Sequence, residues 1–120
     1  MANGTQTDIS QDGSVIKTTY NLTTADHTGA AMPAVEFETT TIQATGTFGG
    51  ATLQAEGSMD GTNFFALNDN FGDSASFTSA GISSIAERAQ YIRPRLSSVG
   101  SGADIDVVLM SNKTINTRIN

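Results

Sequence analysis

The chain of 120 residues contains no cysteine and no tryptophan, and it has a single histidine, His27. Without cysteine it can form no disulfide, no thiolate metal site and no cysteine nucleophile. It also lacks an apolar run of the roughly 18 residues needed to cross a bilayer, so we expect no membrane partner. The opening stretch MANGTQTDIS has neither a basic start nor an apolar run, and we therefore expect no secretory signal.

Charged side chains are scarce as well, at 15% of the sequence against roughly 25% in an ordinary domain. Twelve acidic residues and six basic ones give a net charge of −6. This balance argues against nucleic acid as a partner, because phosphate binding requires clustered Lys and Arg. Threonine, serine and asparagine are abundant instead, with 17, 12 and 8 residues. With only two prolines and ordered apolar patterns, the composition predicts one small folded domain rather than a disordered chain.

Apolar residues occur at every second position in five stretches of the sequence. In Ile105-Asp106-Val107, for example, an acidic residue separates two apolar ones, as on a strand with one face in the core and the other in water. Such runs are typical of half-buried antiparallel strands. The five stretches are residues 35–38, 42–48, 51–59, 92–96 and 103–109.

Turn-forming residues separate these stretches. Gly49-Gly50 predicts a tight primed turn in which both residues have positive φ. Asp60-Gly61 predicts a hairpin, and Gly100-Ser101-Gly102 predicts another between the last two strands. The sequence therefore predicts an all-β fold, an antiparallel β-sandwich of the jelly-roll or immunoglobulin-like kind.

The composition divides the chain into three parts. Residues 1–33 hold few large apolar side chains and are predicted to form an extended N-terminal arm, either a strand that pairs elsewhere or a segment lying on a neighbour. Residues 34–110 are predicted to form the β-sandwich domain, with one helical turn at 83–90 capped by a serine. Residues 111–120 form a short, polar C-terminal tail.

The arm and the tail are predicted to contact other chains. Each carries a few apolar side chains in an otherwise polar stretch, where an isolated monomer would have no core to bury them. The interface residues predicted from this pattern are Val15, Ile16, Tyr20, Leu22, Ile115 and Ile119.

Two further interface candidates lie in the sandwich. Phe64 and Phe65 are adjacent, so their rings point to opposite faces; we expect one in the core and assign the other, Phe64, to an interface.

Arg93 and Arg95 lie on the polar side of one predicted strand. They are expected to pair with Asp104 and Asp106 across the Gly100–Gly102 hairpin, or to dock against an acidic partner, and both are therefore interface candidates.

Nothing in the sequence predicts catalysis, a cofactor or a metal. His27 lies in a loop-like stretch with no strand or helix to fix its geometry. Asp104 and Asp106 share one strand face, with their Cα atoms about 7 Å apart by strand rise, and are interpreted as a solvated surface. Residues 68–73 (NDNFGD) have oxygen ligands but not the spacing of an EF-hand, so an Asx-rich turn is expected. We accordingly expect a non-enzymatic protein.

Three stretches together resemble a group of small tailed-phage virion proteins. They are residues 57–64 (GSMDGTNF), residues 91–94 (YIRP) and residues 104–107 (DIDV), and the resemblance spans roughly residues 35–110. Proteins of this group look like β-sandwich or jelly-roll modules bound to phage particles. Several are capsid decoration, or cement, proteins, and others belong to head fibres or tails.

The resemblance implies a structural role on the virion. It implies synthesis in the host cytoplasm, assembly on the capsid exterior, the major capsid protein as partner, and a homotrimer. The alternative is a carbohydrate-binding or adhesion β-sandwich of a head fibre or tail. Sugar-binding platforms usually present tryptophan or tyrosine, and this chain offers only Tyr20 and Tyr91.

Overall fold

A computed structural model of the chain describes residues 3–11, 15–34, 39–97 and 102–112, with the side chains of all but the first range. The described residues form eleven β-strands, and none of them is helical. The strands are β1 (Asn3–Gln11), β2 (Val15–Thr23), β3 (Thr28–Gly29), β4 (Met32–Pro33), β5 (Thr39–Thr47), β6 (Thr52–Ser58), β7 (Phe65–Ala66), β8 (Ser76–Phe77), β9 (Gly81–Ile85), β10 (Tyr91–Ser97) and β11 (Asp104–Asn112).

Two antiparallel sheets pack face to face as a β-sandwich. The long-strand sheet has the order β1-β2-β11-β5-β9, and β11 pairs over its whole length with both β2 and β5. In the short-strand sheet, β6 pairs with β10 on one side and with β7 and β8 on the other. The small strands β3 and β4 lie on the far side of β10.

The two sheets are joined at one edge of the sandwich. There β1 pairs antiparallel with β2 and parallel with β3, so the hydrogen-bonded order runs from one sheet into the other. We call this the closed edge. The opposite side, where β9 ends one sheet and β7 and β8 end the other, is the open edge.

The predicted alternation is confirmed in β10, in β11 and along most of β5. In β6 the predicted outward residues Glu56 and Ser58 are buried as well as the inward ones. Inward-facing residues of β5, β6, β10 and β11 are buried, and they form one core with β2. Gly46 and Met59 were expected to continue the inward series, but both are exposed because they lie where a strand leaves the sandwich. The confirmed core residues include Ile42, Ala44, Leu53, Ala55, Ile92, Pro94, Leu96, Ile105, Val107 and Leu109.

The N-terminal arm is corrected by the structure. Residues 15–34 belong to the sandwich, because β2 lies between β1 and β11 in the long-strand sheet. Its Tyr20 is buried in the core, and its hydroxyl donates a hydrogen bond to the carbonyl oxygen of Ala30 at 2.8 Å. The arm is expected from the sequence to be either a paired strand or a segment lying on a neighbour. The structure shows a paired strand, and its partners β1 and β11 belong to the same chain. The boundary at residue 33 does not separate two structural parts.

Two local predictions are wrong. β10 and β11 do not form a hairpin across residues 100–102, since they lie in different sheets. The helical turn expected at 83–90 is replaced by the edge strand β9 and an irregular segment after it. Ser83 and Ser84 pair with β5 instead of capping a helix.

The Gly49-Gly50 turn is confirmed, with φ of 58° and 84°. It does not close a hairpin, however, because β5 and β6 belong to different sheets. The strand expected at residues 35–38 and the tail residues Ile115 and Ile119 lie outside the described residues.

Candidate interaction surface

The open edge of the sandwich is built from short strands and the segments between them. Two segments belong to this edge: residues 67–75 connect β7 to β8 within the short-strand sheet, and residues 86–90 connect β9 in one sheet to β10 in the other. They meet where Asn68 donates its backbone N–H to Glu87 Oε1 at 2.7 Å, and where the Ala86 N–H donates to the Asn68 carbonyl oxygen at 2.8 Å. These bonds fix both segments in place between the sheets.

A closed ring of three backbone hydrogen bonds holds the loop 67–75 to β6. The N–H of Ala55 donates to Ala75 O, that of Ala75 to Leu67 O, and that of Leu67 to Ala55 O, all within 2.9–3.0 Å. The side-chain amide of Gln54 lies within 2.9–3.2 Å of the same three carbonyl oxygens. The ring and the glutamine therefore fix both ends of this loop at one point.

Large apolar side chains are exposed at this edge. Among the described residues, four such side chains are at least 66% exposed, with Phe71 at 90%. Each belongs to the open edge: one follows β6, one lies on β7, one lies in the loop 67–75 and one lies on β9. The four are Met59, Phe65, Phe71 and Ile82.

These side chains line two depressions. One, the β9 groove, has a volume of about 490 Å³ and lies between β9 and the loop carrying Asp69, Asn70 and Phe71. The other, the β7 cleft, has a volume of about 280 Å³ and is lined by Met59, Phe65 and Leu67 among others. The large exposed apolar side chains of the described residues thus lie together at one edge, as is typical of an interaction site.

A tight turn beside the β7 cleft is stabilised by Asp60. Its carboxylate accepts hydrogen bonds from the backbone N–H groups of Asn63 and Thr62, each at 2.8 Å, and from the side chains of Asn63 and Ser58. These donors favour the charged form and hold the pKa of the Asp60 carboxyl well below its usual range, with the Asn63 N–H contributing most. Gly61 in this turn has φ of 80°.

The outer face of the short-strand sheet continues from this turn. The Tyr91 ring lies against Gly61, so that an added Cβ would come within 3.4 Å of it. The Arg93 guanidinium lies 3.8 Å above the centre of the Phe64 ring and donates to Glu56 Oε1 at 3.0 Å. The turn at Asp60-Gly61 and the strand β10 are therefore one packed unit.

The predicted interface residues fall into different environments. Ile16, Tyr20 and Leu22 are buried in the core, covered by the chain's own residues, and are not available at a surface. Val15 is half-buried on β2. Phe64 is half-buried beneath Arg93, and Phe65 is the more exposed of the two phenylalanines, so the expectation that one ring enters the core is wrong.

The predicted arginine pairs are also wrong. Arg93 and Arg95 both approach Glu56, with nitrogen–oxygen distances of 3.0 and 3.6 Å, because β10 pairs with β6. Asp104 and Asp106 lie on the other sheet, where both accept hydrogen bonds from the side-chain amide of Asn21.

The acidic loop 68–73 behaves as the expected Asx-rich turn. One Asp69 oxygen accepts the backbone N–H groups of Phe71 and Asp73, at 2.9 and 3.0 Å. No cluster of His, Asp and Glu side chains suited to a metal ion occurs in the described part of the chain. Nor do the described residues contain a helix long and apolar enough to cross a membrane.

Sequence reasoning missed the exposed residues of the open edge. Two signals were present: Phe71 is a large aromatic residue inside a loop of Asn, Asp and Gly, and Ile82 stands alone between glycine and serine. Gly81-Ile82 fits a short strand in the sequence, but neither Phe71 nor Ile82 belongs to a longer alternation, so the sequence does not predict their exposure. Comparison of the chain with protein-family models, curated proteins and solved structures gives no match.

Proposed function

We propose that the protein is a non-enzymatic decoration protein of a tailed phage. In this role it binds the outside of the head through its open edge and bridges neighbouring copies of the major capsid protein. Because it binds only the assembled shell, it stabilises that shell by mass action. As the resemblance implies, the working unit would be a homotrimer made in the host cytoplasm.

The exposed apolar edge is the observation that carries this proposal. Phe71 and Ile82 on one depression and Met59 and Phe65 on the other provide apolar area that the described part of the chain leaves uncovered. They stand on a rigid sandwich whose loops are fixed by side-chain hydrogen bonds, so little ordering entropy is lost on binding.

The net charge of the chain supports a location on the outside of the head. A net charge of −6 would be repelled by packaged DNA, and two of the six cations, Arg93 and Arg95, are already occupied by Glu56. The resemblance carried by residues 57–64 and 91–94 supports a phage protein specifically.

Co-sedimentation with phage heads tests the proposal. Purified protein is added to expanded heads of the source phage that have been stripped of their small surface proteins. We expect saturable binding and a slower loss of shell integrity on heating. The double variant Phe71→Ser/Ile82→Ser should lose this binding, because it removes the exposed apolar area at the β9 groove without touching the core.

A matched control uses exposed residues away from the open edge. Lys17→Ser and Thr45→Ser alter exposed positions of the long-strand sheet and should bind heads as the wild type does. The proposal is wrong if folded wild-type protein does not bind heads, or if the control and the double variant bind equally. Binding of the isolated protein to glycans instead of heads would favour the adhesion alternative.

A further inference from the structure

The β9 strand has an outer edge that the described chain leaves almost unpaired. Only Ile85 is covered there, by a bridge to Asp69, while Gly81–Ser84 pair with β5 on the inner side alone. The strand carries no charge, no proline and no bulge, which are the usual devices that keep an edge strand from pairing with another chain. It is therefore open to an added strand.

The β9 groove along this edge is apolar in part and acidic. Phe71 and Ile82 supply its exposed apolar surface, at 90% and 66% exposure. Asp69 lines it, Asp73 lies in the same turn, and none of the lysines and arginines that the structure describes lines it. A second copy of β9 would bring the same acidic loop against itself, so a two-fold β9–β9 contact is disfavoured. The chemistry selects an extended peptide with apolar and basic side chains.

Residues 113–120 of this chain (KTINTRIN) have that composition. They contain Lys113 and Arg118, two of the six cations, and no acidic side chain. As a strand they would present Ile115 and Ile119 on the same face. The segment thus complements the groove in both charge and apolar spacing.

The chain's own segment is too short to occupy its own groove comfortably. β11 ends at Asn112, which pairs with Thr39 at the end of the sheet where Ile85 lies. From there to the outer side of β9 is three strand spacings, about 14 Å, and pairing along Gly81–Ser84 takes about 13 Å more. Eight extended residues span at most about 26–29 Å, with nothing left for the detour around Asp69. The same segment of a neighbouring copy does not start from this point, so its length does not prevent it from reaching the groove.

We propose that residues 113–120 of one copy bind in the β9 groove of the next, as a strand added to β9. The contact joins two different surfaces, so copies associate head to tail and either close into a ring or extend into a chain. The β9 groove is also part of the surface proposed to bind heads, so in associated copies the head contact would rest on Met59 and Phe65 at the β7 cleft. Self-association is measured without phage heads, so the two proposals can fail separately.

Complementation between two full-length variants tests this contact. The groove variant Phe71→Ser/Ile82→Ser keeps the tail, and the tail variant Lys113→Glu/Arg118→Glu keeps the groove. In sedimentation velocity, the wild type should self-associate with rising concentration. Each variant alone should have its dissociation constant raised at least roughly tenfold. An equimolar mixture of the two should form a one-to-one complex, because one intact groove then meets one intact tail.

The charge reversal Lys17→Glu/Arg88→Glu is the matched control, and it should associate as the wild type does. Circular dichroism of every variant checks that the sandwich is intact, and Ile115→Ser/Ile119→Ser provides a second tail variant without a charge change.

The inference is overturned if the wild type stays monomeric at its highest soluble concentration. It is also overturned if the tail variants associate normally, or if the mixture does not pair. If the protein is a monomer and Phe71→Ser shifts the amide signals of residues 113–120, the chain's own tail binds in the groove and the inference is overturned.

Discussion

The centre of the long-strand sheet and the open edge are stabilised in different ways. In the centre, β2, β11 and β5 are each nine residues long, and the inward residues of β2 and β11 are buried in strict alternation. At the open edge, β7 and β8 have two residues each, and side chains such as Gln54 and Glu87 supply hydrogen bonds to the backbone that a strand ladder supplies elsewhere.

The difference separates stability from recognition. The centre excludes water from large aliphatic side chains and can be changed only at a cost in packing. The open edge holds its backbone with a few polar side chains, which leaves Phe71, Phe65 and Ile82 free of any packing role. Substitutions in the two regions should accordingly act on different measurable quantities.

The largest effect is expected from Leu109→Ala in β11. Leu109 is fully buried between the sheets, and its truncation leaves a cavity that costs about 2–5 kcal/mol of unfolding free energy. The neighbouring Val108 is only half-buried on the outer face, so Val108→Ala should cost much less. Urea denaturation measures both, and equal losses would contradict the assignment of the two faces.

A smaller, local effect is expected from Gln54→Ala. The amide of Gln54 approaches three carbonyl oxygens, but each of these keeps a backbone donor in the ring, so the loss should be about 1 kcal/mol. Hydrogen exchange should show faster exchange at the amides of Leu67 and Ala75 than elsewhere. Gln43→Ala, on the exposed face of β5, serves as the control and should leave these amides protected.

A pH-dependent effect is expected at Asp60. Its folded-state pKa is lowered, so its contribution to stability is present above the unfolded value of about 3.9 and is lost as the pH falls through the folded value. Asp60→Asn should therefore destabilise the protein slightly at neutral pH, with the two stability curves converging in acid. Urea midpoints across this range measure it, and a difference that widens in acid would reverse the sign and refute the argument.

The smallest effect on stability is expected from Phe71→Ser. Because the ring is 90% exposed, the unfolding free energy should change by less than about 0.5 kcal/mol. The same substitution should weaken self-association and head binding. A loss of stability comparable to that of Leu109→Ala would show that the ring is packed within the chain, and the comparison of the two regions would fail.

The sequence predicts the strand content of the sandwich well because burial on one face imposes a period of two. Residues 103–109 show this directly, since every second residue is apolar and each of those is buried. The same signal is weak in β2, where the inward series includes the buried Thr18 and the outward one has Thr19 and Asn21. Because threonine is abundant throughout the chain, the sequence predicts an arm where the structure has the core strand β2.

Pairing and exposure could not be predicted in the same way. Alternation says which residues of a strand face inward, but not which strand lies beside it. The sequence therefore predicts Arg93 and Arg95 opposite two aspartates of β11, whereas both arginines contact Glu56. The open edge depends on hydrogen bonds between residues distant in sequence, such as those from Asn68 to Glu87, which leave no periodic trace. The exposure of Phe71 can be recognised only when the position of the loop 67–75 in the fold is known.

The position of β11 has a consequence for how the protein is made. This strand lies between β2 and β5, so the long-strand sheet cannot assemble until residues 104–112 have been synthesised. At roughly 5–20 residues per second, β2 waits several seconds on the ribosome for the partner that completes its pairing. The pairs β1–β2 and β5–β9 need no residue beyond Ile85 and can form earlier, so the last step is the pairing of β11 with both β2 and β5.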